Sequence, residues 1–349
     1  MNPKIVVLAS VAILALGAFP AGAQEVVRVQ TWGGALGDSF QKNIIEPFEK
    51  ETGVQVELSY GMSVDALAKV RGQATNPQID VAMMGQVDGI TLWQEGLTAP
   101  LDPKEIPNLG NLIKPAVYAD DKGNIFYVGL YGYVFELVYR TDKIKTPPTC
   151  WKDLWKDEYK GEIMFPPPGV FIGYVQAMAS RINGGSEENM EPGWTAMKAL
   201  APSIAAVFNS DSEAYNLIAS GEASIGPVLM FTTIDLIKAG VPVARVSPCE
   251  GSPIAWDGIT LVKNSPNPEG AKKLINFMLQ KSVVEAHVNE VSTIPAMDGI
   301  VLKPELAKAL PSTPEDRAKL TSLDDATIAK HKAEWIARWD REIVPLIGK

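Results

Sequence analysis

Ile125-Phe126-Tyr127-Val128-Gly129-Leu130-Tyr131-Gly132-Tyr133-Val134-Phe135-Glu136-Leu137-Val138-Tyr139 is the stretch on which the fold turns. Its aromatic and β-branched residues favour extended backbone. Ordinary strands hold about five or six residues, and this run is far longer. It is long enough to cross from one packed domain into a second. The chain has 349 residues, and a prior of about 150 residues per domain also suggests two. Along the run, Tyr131 and Tyr133 share a face, because side chains alternate.

Upstream, Val26 to Thr31 alternates and reads as a strand that Trp32-Gly33-Gly34 breaks. Asp38 to Gly53 carries Phe40, Ile44 and Phe48 on one helical face, and Gly53 stops it. Val54 to Tyr60 is a strand, Ser63 to Gly72 a helix, Ile79 to Met84 a strand closed by Gly85, and Asp88 to Glu95 a short helix. The β-α-β-α-β-α order predicts a parallel sheet covered on both faces. Downstream, Glu162 to Phe165, Ile204 to Phe208, Ala223 to Leu229, Val241 to Val246 and Gly258 to Val262 read as strands. The helices between and after them include Phe171 to Ile182, Ser212 to Ser220, Ser282 to Val291 and Ala329 to Ile343.

Composition narrows the function. Hydrophobic residues are 46% and charged residues 21%, which excludes a mainly disordered chain and a polytopic membrane protein. The formal net charge is −9, so nucleic acid is not an expected partner, because duplex binding needs a basic surface. Lys4, the apolar run Ile5 to Ala18 and Phe19-Pro20-Ala21-Gly22-Ala23 form the three parts of a secretory signal. The run is shorter than the roughly 20 residues a membrane span needs, and cleavage is expected after Ala23. Export would let Cys150 and Cys249 pair; the alternative is two partly buried free thiols.

Several local signals then fall in one order. Glu46-Pro47-Phe48-Glu49-Lys50-Glu51-Thr52-Gly53-Val54 precedes Pro77-Gln78-Ile79-Asp80-Val81. Glu213-Ala214-Tyr215, Gly221-Glu222-Ala223, Trp256-Asp257-Gly258-Ile259 and Asn267-Pro268-Glu269-Gly270-Ala271 follow. This order resembles the extracellular solute-binding proteins of bacterial ABC importers, in the branch close to the spermidine/putrescine binders. The resemblance implies an α/β, two-lobed, type II periplasmic binding protein-like fold, with a ligand cleft between lobes joined by crossing strands. The expected division is a signal peptide over residues 1–23, lobe I over 24–134 plus 255–305, and lobe II over 135–254 plus 306–349. Ile125 to Tyr139 suits one crossing and Pro253 to Gly258 the return. Parallel α/β sheets bind ligands at the carboxyl ends of their strands, and hinged lobes can close over a solute.

The candidate ligand-binding residues follow from that cleft. The Trp32 indole offers a flat face, and Gly33 and Gly34 allow close backbone approach before a helix N-terminus. Asp257 matches, by the resemblance, the position of an acid that contacts a ligand amine, and Trp256 is its neighbour. Gly85, Gln86, Tyr131, Tyr133, Phe171 and Asn209 complete the set, with Ser210 and Asp211 read as helix caps. Met84-Gly85-Gln86-Val87, Pro166 to Phe171, Leu229-Met230 and Ser292-Thr293 lack aromatic and acidic residues that the polyamine binders carry. Asp257 is then the one clear acid. The expected ligand is a small amine-containing or zwitterionic solute: polyamine-like, opine-like, an amino acid derivative or an aminophosphonate.

The expected protein is therefore a periplasmic, monomeric solute receptor without cofactor or catalysis, delivering its ligand to an inner-membrane ABC permease pair with a cytoplasmic ATPase. The rivals are a ferric-ion carrier of the same fold, which the absence of a Tyr-Tyr pair opposes, and a secreted enzyme. Neither a Gly-x-Ser-x-Gly elbow nor a His-Glu-x-x-His motif is present. His287 and His331 stand alone and are expected to be exposed.

Overall fold

The alternation at Val27 and Val29 buries both side chains against the helix that follows, and so fixes β1 (Val26–Thr31) as an inner strand. The structure, a computed structural model, describes residues 26–311, 313–318 and 320–349. The signal-peptide reading lies outside the described residues. The remaining strands are β2 (Gln55–Tyr60), β3 (Val81–Gly85), β4 (Thr98–Ala99), β5 (Val117–Ala119), β6 (Ile125–Arg140), β7 (Ile163–Phe165), β8 (Ile204–Val207), β9 (Ile225–Leu229), β10 (Val243–Val246), β11 (Ser252–Val262), β12 (Ile294–Pro295) and β13 (Leu320–Thr321).

They form one continuous mixed sheet in the order β2-β1-β3-β11-β6-β9-β7-β8. β1 runs parallel to β2 and β3, and β7 parallel to β8 and β9. β6 and β11 are antiparallel to each other and, respectively, to β9 and β3, while β13 joins the start of β11 in parallel. The first β-α-β units give the parallel pairs their order predicts, and the two long strands insert beside them in the opposite sense.

β6 spans 16 residues. Up to Val134 it pairs with β5, β11 and β12; from Phe135 onward it pairs with β9 and β10. The change of partners coincides with a change of core. One core gathers Val27, Phe40, Phe48, Val81, Leu274 and Val284. The other gathers Phe165, Trp194, Phe208, Ile225, Trp335 and Trp339. β11 returns along β6, and Trp256 packs across it at 2% exposure. A Cβ at Gly132 would lie 2.7 Å from the Trp256 ring, so only glycine fits there.

Cys150 and Cys249 are joined, closing a loop across 99 positions in the second lobe. Glu250 beside the bond accepts the Trp151 and Lys152 backbone N–H groups at 2.7 and 3.1 Å. Among the described residues no helix is long and apolar enough to cross a membrane.

Candidate functional site

The loops after β1 and β3 and the middle of β6 and β11 converge at one place. Trp32 follows β1 directly, largely buried, with its ring 6.2 Å from Tyr131. Gly33 and Gly34 are exposed beside it. Gly34 has φ +61° and opens the following helix into free space. Gly85 stands opposite Asp257 in the β3–β11 ladder and donates its N–H to Ser63 Oγ at 3.0 Å. The β6–β11 register shifts between Asp257 and Gly258, a bulge of the kind that re-aims a side chain.

Asp257 is 9% exposed. The Tyr133 hydroxyl donates to its Oδ1 at 3.4 Å, a long bond. Burial pushes its carboxyl up to about 7; hydrogen bonds from Tyr133 and Tyr131 pull it down, and the Asp88 charge pushes it further up. Among the described residues no Lys or Arg acts on it. A desolvated carboxylate without a cation is costly, so this pocket favours either a proton or a positively charged guest.

The second lobe brings a carboxylate that sequence reading took for a cap. Ser210 is the cap, accepting the Glu213 N–H at 3.2 Å. Asp211 instead has a buried Oδ1 without a hydrogen-bond partner, and burial pushes it up to about 6. Its charge raises the pKa of Tyr133, the same phenol that donates to Asp257. A depression of about 290 Å³ lies beside it, lined in part by Tyr215 and Phe231. Phe231 also meets Tyr133, ring centroids 6.0 Å apart.

Other predicted residues fall outside this group. Gln86 is fully buried: its Oε1 accepts the Trp256 N–H at 2.9 Å and its Nε2 donates to the Tyr174 hydroxyl. Both ends of its amide are engaged within the protein. Trp256 points away from Asp257, as alternation requires, into a cluster with Val134, Met230 and Ile254. Phe171 does not start a helix. Ile172 and Gly173 both have positive φ, and the helix begins at Tyr174. The Phe171 ring packs edge-on against Phe135 and Phe208 as core. Asn209 is exposed, its N–H held by Glu213.

His287 overturns its expected exposure. It is 1% exposed between Phe40 and Tyr131, with Nδ1 2.9 Å from Ser39 Oγ and Nε2 without a partner. Burial pushes it down to about 4, so it is neutral. Among the described residues the metal-compatible grouping is Cys150, Cys249 and Glu250, and its sulfurs are spent on the disulfide.

Sequence reasoning also missed Asp325, the first residue of the terminal helix Asp325–Glu342. It accepts hydrogen bonds from Tyr118 on β5, at 2.9 Å, and from Tyr174. Burial pushes it up to about 6, against hydrogen bonds from Tyr174, Tyr118 and Gln86.

The family described as bacterial extracellular solute-binding protein matches residues 43–313. The spermidine/putrescine-binding periplasmic protein of Escherichia coli (strain K12) is 27% identical over 296 residues, covering 84% of this chain and 82% of that one. An ABC transporter structure from Clostridium perfringens superimposes with a TM-score of 0.81 at 25% identity, over 91% of this chain and 99% of that one. The spermidine/putrescine ABC transporter substrate-binding protein of Streptococcus pneumoniae shares the fold, with a TM-score of 0.73 at 22% identity over 91% of this chain and 99% of that one.

Proposed function

The chain belongs to the bacterial extracellular solute-binding proteins, a periplasmic transport protein and not an enzyme, and from that premise we propose that it captures a small organic solute bearing a primary ammonium. The ammonium sits against Asp257, between Tyr131 and Tyr133, with Trp32 and the Gly33-Gly34 loop as the adjoining wall. The observation that carries this reading is a buried carboxylate, pushed up to about 7, that no cation among the described residues neutralises. An ammonium supplies the missing charge and a strong charge-assisted hydrogen bond. The Escherichia coli relative is named for spermidine and putrescine, which are amines. Asp211 offers a second uncompensated carboxylate across the cleft, so a solute with a second cationic or hydrogen-bond-donating end is accommodated better than one ending in an anion.

The lobes are assigned as residues 24–134 with 255–305 and 135–254 with 306–349, closing over the solute and presenting it to an ABC permease pair. A thermal-shift screen of the mature protein against amines, amino acids, opines and aminophosphonates tests the ligand class, because specific binding raises the melting point. Amines should raise it and their deaminated analogues should not. Shifts from amine-free anions alone, or from ferric citrate alone, would reject the reading.

A further inference from the structure

We infer that Asp325 is a positioning residue of the cleft: from the terminal helix of the second lobe it fixes the peptide that carries Asp257. The importance given to that peptide rests on the amine reading above; the connection itself does not. Two arms leave the Asp325 carboxylate. In one, Tyr174 donates to Asp325, Gln86 Nε2 donates to the Tyr174 hydroxyl and also acts on the Asp325 carboxylate itself, and Gln86 Oε1 accepts the Trp256 N–H. In the other, Tyr118 donates to Asp325 and packs edge-on against Tyr127, ring centroids 5.4 Å apart. The Tyr127 hydroxyl lies 2.8 Å from the Trp256 carbonyl oxygen and 2.8 Å from that of Met84. Both arms thus end on the backbone of Trp256, one on its N–H and one on its C=O. The next residue is Asp257.

The arms start from a rigid base. The Asp325–Glu342 helix is seated in the second core through Ile328, Trp335 and Trp339. Its Lys332 reaches Asp88 at 3.4 Å, on the Gln86–Gln94 helix that Gln86 opens. Tyr118 and Gln86 belong to first-lobe elements, and Tyr174 and Asp325 to the second. The carboxylate is therefore shared by tyrosines from both lobes. Buried polar groups satisfied in this way hold one another in a single geometry. That geometry sets where the bulged Asp257 side chain points when the lobes meet.

Backbone amide exchange in the ligand-free mature protein reads the Trp256 N–H directly, so this result stands apart from success or failure of the amine screen. Asp325→Asn and the milder Tyr174→Phe should each speed Trp256 exchange roughly tenfold. Amides in the second core, such as Val228 on β9, should keep wild-type protection. Tyr118→Phe weakens the packed arm and should change Trp256 exchange only about two- to threefold. If Asp325→Asn does not fold, Tyr174→Phe decides alone. Unchanged Trp256 exchange in Tyr174→Phe would overturn the inference. So would parallel acceleration of Trp256 and Val228, which is what a role in global stability alone would produce.

Discussion

Asp257 and Asp325 are near twins in composition and opposites in circumstance. Each is 9% exposed, each is flanked by two tyrosine hydroxyls, and each is pushed far above the ordinary carboxylate range by burial. Asp325 receives a hydrogen bond on each oxygen, from tyrosines in different lobes. Asp257 receives one long bond from Tyr133 on Oδ1 and a weaker hold from Tyr131. Burial and residue type do not separate the acid proposed to meet the ligand from a structural one. The completeness of the protein's own hydrogen bonding does.

Exchanging the acids one at a time sharpens that contrast. Asp325→Asn leaves one tyrosine hydroxyl without an acceptor and should lower stability by about 2–3 kcal/mol in urea unfolding. Asp257→Asn removes an uncompensated buried charge and should leave the ligand-free stability unchanged or raise it by up to about 1 kcal/mol. Equal losses in the two variants would erase the distinction.

The pH response gives a second, smaller contrast. The folded carboxyls of Asp257, Asp211 and Asp325 bind protons at about 7, 6 and 6, above the ordinary aspartate value of 3.8 that holds in the unfolded chain. The folded state therefore holds more protons between about pH 4 and 7, and these groups lose stability as pH rises through that window. His287 opposes them. Its folded value is about 4 against 6.5, so its contribution is lost as pH falls from about 6.5 to 4. Urea midpoints from pH 4 to 8 should flatten near pH 7 in Asp257→Asn and near pH 6 in Asp325→Asn. Unaltered slopes in both variants would contradict these protonation states. At pH 6 an amine binding at Asp257 should release up to about one proton, seen as a buffer-dependent heat in calorimetry.

The hydroxyls give the smallest effects. Tyr174→Phe should cost about 1 kcal/mol of stability. Tyr133→Phe, which deletes only the 3.4 Å bond, should cost a few tenths in stability and about two- to fivefold in amine affinity. The reverse order in the unfolding experiment would show that the long bond is the stronger one.

The difference between the two acids was only half legible in the sequence. Asp257 entered the reading through the family resemblance; its place on β11, with Trp256 facing the other way, follows from strand alternation, while its contact with a ligand is the proposal made above. Asp325 was hidden because the terminal helix was started at Ala329, past its true beginning. Asp324 caps that helix by accepting the Thr327 N–H, a local signal that could have moved the boundary. Its partners, Tyr118 and Tyr174, lie 207 and 151 residues away, and no periodicity reports such a meeting. Gln86 was placed correctly after β3 but given to the ligand, because nothing local shows that both ends of its amide are taken. His287 misled for the same reason: its surroundings in sequence are polar, while its surroundings in space are Phe40 and Tyr131. The long β6 run, by contrast, needed no distant information, since its length alone implied two partners.

Calorimetric titration of the mature protein and of Asp257→Asn, with an amine that stabilises the wild type, probes the whole scheme at its narrowest point. The expected result is a loss of about a hundredfold or more in affinity from a variant that unfolds at the same urea concentration or higher. Equal affinity in the two proteins would place the ammonium elsewhere and leave the Tyr131–Tyr133–Asp257 pocket without its guest.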